Sequence, residues 1–183
     1  MAFINSIDII KFRGIKKLEV SEFSNINLIV GDNNSGKTTF LEAIQLLFAK
    51  SQLSSIKSVI NQRTVLNPNS SFYTSFIKMF NKEQGKDFLE FDIYALSNKG
   101  PLKFELNGRQ KKVSGEDALQ ISALSVRQKN EYKRSTTVIP EAAKVFTGRI
   151  ITQAGKKTVE REICCTSLDG VIPGPIVKRE VHY

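Results

Sequence analysis

One histidine, His182, and one adjacent cysteine pair, Cys164 and Cys165, are all this chain offers of the side chains most used for metal ligation and nucleophilic catalysis. Neighbours on a strand point to opposite faces, so the two thiols cannot readily join each other, and there is no third cysteine. A Cys/His metal site is excluded, and so are Ser-His-Asp and Cys-His mechanisms. Two reduced, partly buried thiols are expected. Long apolar runs are also missing, the longest falling far short of the roughly 18 residues a membrane span needs. The first residues, Met1 to Asp8, lack the positive region and extended apolar core of a secretion signal. The expectation is a cytoplasmic protein with no membrane contact. No internal repeat, low-complexity stretch or heptad run interrupts the chain.

Acid is the scarcer charge. The 183 residues carry 27 Lys and Arg against 18 Asp and Glu, a net +9. Residues 1–99 hold 12 basic and 9 acidic groups, residues 100–183 hold 15 and 9. The excess gathers at Arg109-Gln110-Lys111-Lys112, Arg127-Gln128-Lys129, Lys133-Arg134 and Lys156-Lys157. A basic face suits an anionic polymer, and the salt-dependent phosphate contribution dominates such binding; the competing reading is a solvated surface. Hydrophobic content of 40% and charged content of 25% are those of an ordinary globular domain, and the length can bury a real core.

Within this plain background one motif stands out. Gly31-Asp32-Asn33-Asn34-Ser35-Gly36-Lys37-Thr38 fits G-x-x-x-x-G-K-[ST], the phosphate-binding loop of nucleotide triphosphatases. The apolar run Ile26-Asn27-Leu28-Ile29-Val30 enters it as a buried strand would, and Phe40, Leu41, Ile44, Leu47 and Phe48 leave it with helical spacing. Glycines 31 and 36 allow the turn that points successive N–H groups inward as a nest for phosphate oxygens. The following helix adds its unpaired N–H groups and positive dipole end. Lys37 is expected between the β- and γ-phosphates as the catalytic cation, and the Thr38 hydroxyl on Mg²⁺. Asn33, Asn34 and Ser35 form the tip, and Thr39 completes the set of candidate binding residues. The implied cofactors are ATP and Mg²⁺. The alternative is an ordinary strand–turn–helix joint.

Around the loop, residues 3–12 and 15–23 read as two strands broken at Arg13-Gly14, and 26–30 as a third, with the helix running to about Lys50. Residues 51–87 form a helical connection, with Phe72, Phe76, Ile77 and Phe80 at helical spacing behind a cap at Ser70 or Ser71. Period two then takes over in 88–96, with Leu89, Phe91, Ile93 and Ala95 opposed to Glu90, Asp92 and Tyr94, and again at Leu102, Phe104 and Leu106. Asn107-Gly108 signals a hairpin, so 88–113 reads as an antiparallel meander whose Glu90 and Asp92 face solvent rather than act as catalytic acids. Residues 119–127 suit a strand or a short helix. A second hairpin is expected around Gly155-Lys156-Lys157, and Pro173-Gly174-Pro175 ends the order. The fold class is α/β with α+β character: one domain over 1–183, divided into strand pair, loop and helix (1–50), helical connection (51–87), and antiparallel lobe with tail (88–183).

The pattern Ile-Ile-Lys-Phe-Arg-Gly-Ile-Lys-Lys-Leu, followed by Asn-Leu-Ile-Val-Gly-Asp-Asn-Asn-Ser-Gly-Lys-Thr-Thr-Phe-Leu-Glu-Ala-Ile, resembles the N-terminal part of ABC-type ATPase heads. The nearest groups are the chromosome-maintenance, RecF/RecN and overcoming-lysogenization-defect (OLD) families. The resemblance is carried by residues 1–50. It implies a mixed sheet around the loop helix with an antiparallel lobe, ATP and Mg²⁺ sandwiched between two copies, and coupling to DNA or a partner protein. It also implies that Arg13 lies near the nucleotide, where the plain alternative is a surface residue at a strand end. OLD-type proteins carry a nuclease domain, and some act against phage.

Such a head also needs an apolar strand ending in Asp-Glu, a Leu-Ser-Gly-Gly-like signature, a glutamine on Mg²⁺ and a switch histidine. No apolar run here ends in an acidic pair; Glu116-Asp117 follows Ser-Gly. Val113-Ser114-Gly115-Glu116 is a poor signature and reads as a turn, and Gln62, Gln120, Gln128 and Gln153 cannot be ranked. The leading expectation is an ATPase domain whose hydrolytic half is supplied from outside these residues. The alternatives are a nucleotide-dependent binding module without catalysis, a basic nucleic-acid-binding domain with an incidental loop, and a small-molecule kinase, the last disfavoured by the antiparallel lobe and the lack of an arginine-rich lid.

Overall fold

In the computed structural model, residues 3–48, 52–64, 71–85, 87–121, 141–168 and 170–173 are described. Seven antiparallel strands form one sheet in the order β2-β1-β3-β4-β5-β6-β7. They are β1 (Ile4–Phe12), β2 (Ile15–Ser21), β3 (Phe88–Ser97), β4 (Gly100–Ser114), β5 (Ala142–Ala154), β6 (Lys157–Thr166) and β7 (Gly170–Pro173). Three helices, α1 (Lys37–Leu47), α2 (Gln52–Thr64) and α3 (Phe72–Ile77), supply the apolar groups that cover one face. A short α4 (Gly115–Ile121) contributes Ala118 to a small cluster with Val113, Ala143, Val145 and Cys164 on the other.

Side-chain alternation decides which face is which. Ile7 and Ile9 of β1, Phe91 and Ile93 of β3, Phe104 and Leu106 of β4, and Ile150 of β5 are all fully buried. They meet Phe76 and Phe80 from the α3 region, and Phe146 packs edge-on against Phe76 with ring centres 5.1 Å apart. Ser71 caps α3, its hydroxyl accepting from the Thr74 N–H at 3.2 Å. Cys165 points into this core and Cys164 into the small cluster, as opposite faces require.

Two readings of the sequence need correction. Asn107-Gly108 is not a hairpin turn: β4 runs straight through it for 15 residues, and Gly108 pairs with Gly148 of β5. A Cβ on Gly148 would stand 2.1 Å from the Asn107 carbonyl oxygen and 2.9 Å from the Phe146 ring. The glycine pair thus leaves room for close backbone approach and for that ring, and the turn signal is a packing signal. The run Ile26–Val30 is not a strand either. It has no regular structure, and Ile26, Leu28 and Val30 are 90, 86 and 77% exposed. An extended segment becomes a strand only when a neighbour takes its N–H and C=O groups, and among the described residues none does. The stretch from 119, open between strand and short helix, is the end of α4 as far as Ile121; residues 122–140, with two of the basic clusters, lie outside the described residues, as does His182, and α1 ends at Leu47 with Phe48 as its C-cap, short of the expected Lys50.

Glu90 and Asp92 do lie on the face away from the helices, half-buried, with Glu90 ion-paired to Lys11. Burial raises the Asp92 carboxyl above the ordinary carboxylate value, helped by Glu105 directly across on β4 and by Glu90, and opposed by Lys103 and Lys11. Ionised Asp92 therefore subtracts stability at neutral pH, and the deficit fades as pH falls through the raised folded value towards the unfolded one, near 3.9. Asp92→Asn is expected to raise the melting temperature slightly at pH 7 and to give no gain below about pH 4. Equal gains at both pH values in a thermal melt would refute this account.

Candidate functional site

The phosphate-loop sequence leads into α1 with two residues in left-handed backbone. Asn34 has φ +66° and Gly36 φ +94°, and alternating left- and right-handed residues turn successive N–H groups to one side. Gly36 is the N-cap of α1 and makes no side-chain capping bond, nor does the first turn hold an acidic residue. The N–H groups of Lys37, Thr38 and Thr39 thus have no intrahelical acceptor. The loop is braced by Ser35 N–H donating to the Asp32 carbonyl at 3.2 Å and Phe40 N–H to that of Gly36 at 2.9 Å.

Lys37 folds over the loop. Its Nζ donates to the Gly31 and Asp32 carbonyls at 2.5 and 2.6 Å, with Ser35 Oγ at 3.4 Å. A cavity of about 520 Å³ opens beside it, lined by Asn33, Asn34, Ser35, Gly36, Lys37, Thr38, Thr39 and Arg63. Every loop residue singled out from the sequence lines that cavity except Gly31. The arrangement offers backbone N–H donors, one ammonium, one guanidinium and two threonine hydroxyls, and no carboxylate among the described lining residues. This donor set fits a polyphosphate, and the Thr38 hydroxyl is an oxygen donor of the kind a hard divalent cation accepts.

Arg13 reaches the site indirectly. It sits at the β1–β2 turn with φ +52°, a conformation that costs a non-glycine residue on the order of 1 kcal/mol. The segment after α3 clasps that turn: Arg13 N–H donates to the Met79 carbonyl at 2.8 Å, and the Asn81 side chain donates to the Arg13 carbonyl at 2.9 Å. The guanidinium, 11% exposed, lies against Glu42 of α1, with Nε 2.8 Å from Oε2. The contact is ionic rather than a directed hydrogen bond, since that N–H has no aligned acceptor. Burial lowers the Arg13 pKa, and Glu42 opposes the shift. Arg13 does not line the cavity.

Glu42 and Arg63 were missed in the sequence. Glu42 is 2% exposed, on the face of α1 that also buries Phe40, Ala43 and Leu46. Arg63, near the end of α2, forks onto it: Nε donates to Oε1 at 2.7 Å and Nη2 to Oε2 at 3.2 Å, with Thr39 Oγ1 at 3.4 Å. A carboxylate among apolar residues on one helix face was the available signal, because buried acids are paired. Of the glutamines, Gln62 bonds Gln45, Gln153 bonds the Gly155 carbonyl, and neither lines the cavity.

A family model described as an AAA ATPase domain matches residues 3–164. The chain belongs to the AAA ATPase domain family. Among curated relatives, the DNA replication and repair protein RecF of Oenococcus oeni is 39% identical over 71 residues, 38% of this chain and 18% of that protein. RecF of Shewanella sp. (strain MR-4) is 33% identical over 119 residues, 65% of this chain and 29% of that protein. An ATP/GTP phosphatase of Helicobacter pylori is 40% identical over 48 residues, covering 26% and 13%. The likeness to the RecF group read in the opening residues is thus borne out, and the chain spans less than a third of the length of these relatives. This AAA ATPase domain is a P-loop α/β protein of mixed helix and sheet, and none of its described helices is long and apolar enough to cross a membrane.

Proposed function

We propose that this domain binds Mg-ATP as part of an ABC-type ATPase of the RecF, chromosome-maintenance or OLD kind. In this reading the nucleotide joins two copies and is coupled to DNA in repair, maintenance or defence against phage. The observation that carries the reading is the loop itself: left-handed Asn34 and Gly36 lead into an uncapped helix start with Lys37 across its mouth. Lys37 and the loop N–H groups would hold the β- and γ-phosphates, Asn33, Asn34 and Ser35 the outer phosphate oxygens, and Thr38 the Mg²⁺. Bound Mg²⁺ would supply charge neutralisation between the phosphates, and phosphoryl transfer of this type works through positioning and charge rather than a covalent intermediate. The group that activates water would come from outside these residues. So would the neighbours of Ile26–Val30, whose exposed apolar side chains border a groove of about 820 Å³ with Ile15, Leu18, Phe23 and Phe40.

A second reading, nucleotide binding without catalysis, is favoured by the lack of any carboxylate among the described cavity residues. DNA is supported by net charge and by Arg109, Lys111, Lys112 and Lys144 at one end of β4 and β5. Lys99, Lys156 and Lys157 sit at the other end, about 30 Å away at roughly 3.3 Å per residue.

Thermal melts test the proposal. Mg-ATP at 100 times its Kd should stabilise the chain by about 2.7 kcal/mol, and Mg-AMP should not. Equal melting temperatures with and without Mg-ATP would sink it. Phosphate release then separates the two readings, and a DNA titration at two salt concentrations should show affinity falling as salt rises.

A further inference from the structure

We infer that Arg63 is a second cation for the terminal phosphate, held at the cavity by a buried Glu42; this rests on the nucleotide reading above. The loop residues of the cavity lie within a few positions of one another in sequence, whereas Arg63 arrives from a separate helix and, among the described residues, is the one lining residue outside 33–39. Its placement is fixed rather than incidental. One edge of its guanidinium, formed by Nε and Nη2, is taken by the two oxygens of one carboxylate, a bidentate fork that sets the plane of the group. The Thr39 hydroxyl constrains the same Nη2. Among the described residues no acceptor takes the Nη1 N–H groups, and the side chain remains 41% exposed where it borders the cavity.

The charge count agrees with an anion there. One buried carboxylate, Glu42, faces two guanidiniums, Arg13 and Arg63, close enough for Arg63 to depress the Arg13 pKa. Lys37 adds a third positive charge at the same loop. A structural salt bridge would need one arginine, and Arg13, almost fully buried, already meets that need. Arg63 is surplus to the neutralisation of Glu42 and lines the cavity beside the loop. Arginine donors match phosphate oxygens better than an ammonium does, in number and in geometry. Lys37 and the loop would hold the β- as well as the γ-phosphate, whereas Arg63 is assigned to the terminal phosphate alone, so Arg63 should discriminate by phosphate number.

The experiment is isothermal calorimetry of the full chain with Mg-ATP, Mg-ADP and Mg-AMP, comparing the unsubstituted protein with Arg63→Ala, Arg63→Lys and Lys37→Ala. Arg63→Ala should weaken Mg-ATP about tenfold or more while changing Mg-ADP less, so the ATP-to-ADP affinity ratio collapses; Arg63→Lys should recover part of it. A role confined to holding α2 against α1 would lower the melting temperature and leave that ratio unchanged. An unchanged ratio in Arg63→Ala, with Lys37→Ala still losing nucleotide, overturns the Arg63 assignment alone. Failure of the unsubstituted chain to bind any of the three overturns both this assignment and the nucleotide reading.

Discussion

Lys37→Ala should reduce affinity for Mg-ATP about a hundredfold or more while leaving the fold intact. The two halves of that expectation have different grounds. A charge-assisted hydrogen bond contributes about 1.5–3 kcal/mol, and an ammonium shared between two phosphates makes more than one of them. About 3 kcal/mol of lost binding corresponds to roughly a hundredfold. The fold loses little, because the Lys37 hydrogen bonds are exposed and their acceptors are the Gly31 and Asp32 carbonyls, which water can reach. A melting temperature within a degree or two of the unsubstituted protein should therefore accompany the loss in a calorimetric titration. Unchanged affinity would mean that the loop is a strand–turn–helix joint and nothing more, despite its left-handed residues and uncapped helix.

How far this could be read in advance depended on whether each signal was local. Loop chemistry is local: Asn34 and Gly36 supply the positive φ, and Lys37 and Thr38 follow on the helix they begin. The same holds for β3, where each buried residue sits two positions from the next, and for β1 as far as Ile9. Pairing is not local. Asn107-Gly108 carries a two-residue turn signature, yet Gly148, forty residues on, and the Phe146 ring beside it decide what that glycine is for. Ile26–Val30 has strand composition, but hydrogen-bonded neighbours make a strand, and the described residues provide none. Lys11 shows the same limit. Its left-handed backbone, φ +55°, returns Phe12 to the core three positions after Ile9, out of the two-residue step.

The charged groups around the cavity were the least legible part. Arg13 stood out through the resemblance of Phe-Arg-Gly, and it was expected beside the nucleotide. The structure puts it one contact back, on Glu42, where it stabilises the helix that carries the loop. Arg63 gave no signal of its own, because α2 is a polar helix with many exposed positions and nothing in its spacing marks one arginine over another. Its meaning comes from a carboxylate twenty-one residues earlier in the chain. The Glu42 position was readable in principle, as an acid on the apolar stripe of α1 demands a partner, but which partner is a question of tertiary packing.

Glu42→Gln should therefore be among the most damaging single substitutions outside the aromatic core. Glutamine keeps the volume and removes the charge. Arg63 can turn to solvent when its partner goes, since it is 41% exposed. Arg13 cannot: at 11% exposure, with its backbone clasped by Met79 and Asn81, it would be left as an uncompensated buried charge. Breaking a buried pair from one side costs about 3–5 kcal/mol, which for a domain of this size lowers the melting temperature by about 10 °C. Removing both ends together, as Glu42→Leu with Arg13→Met, should cost distinctly less than the sum of the single changes, because the stranded charge is gone. Strict additivity in that double-mutant cycle would show that Arg13 and Glu42 act independently, and that the link from the β1–β2 turn to the loop helix is not made through them.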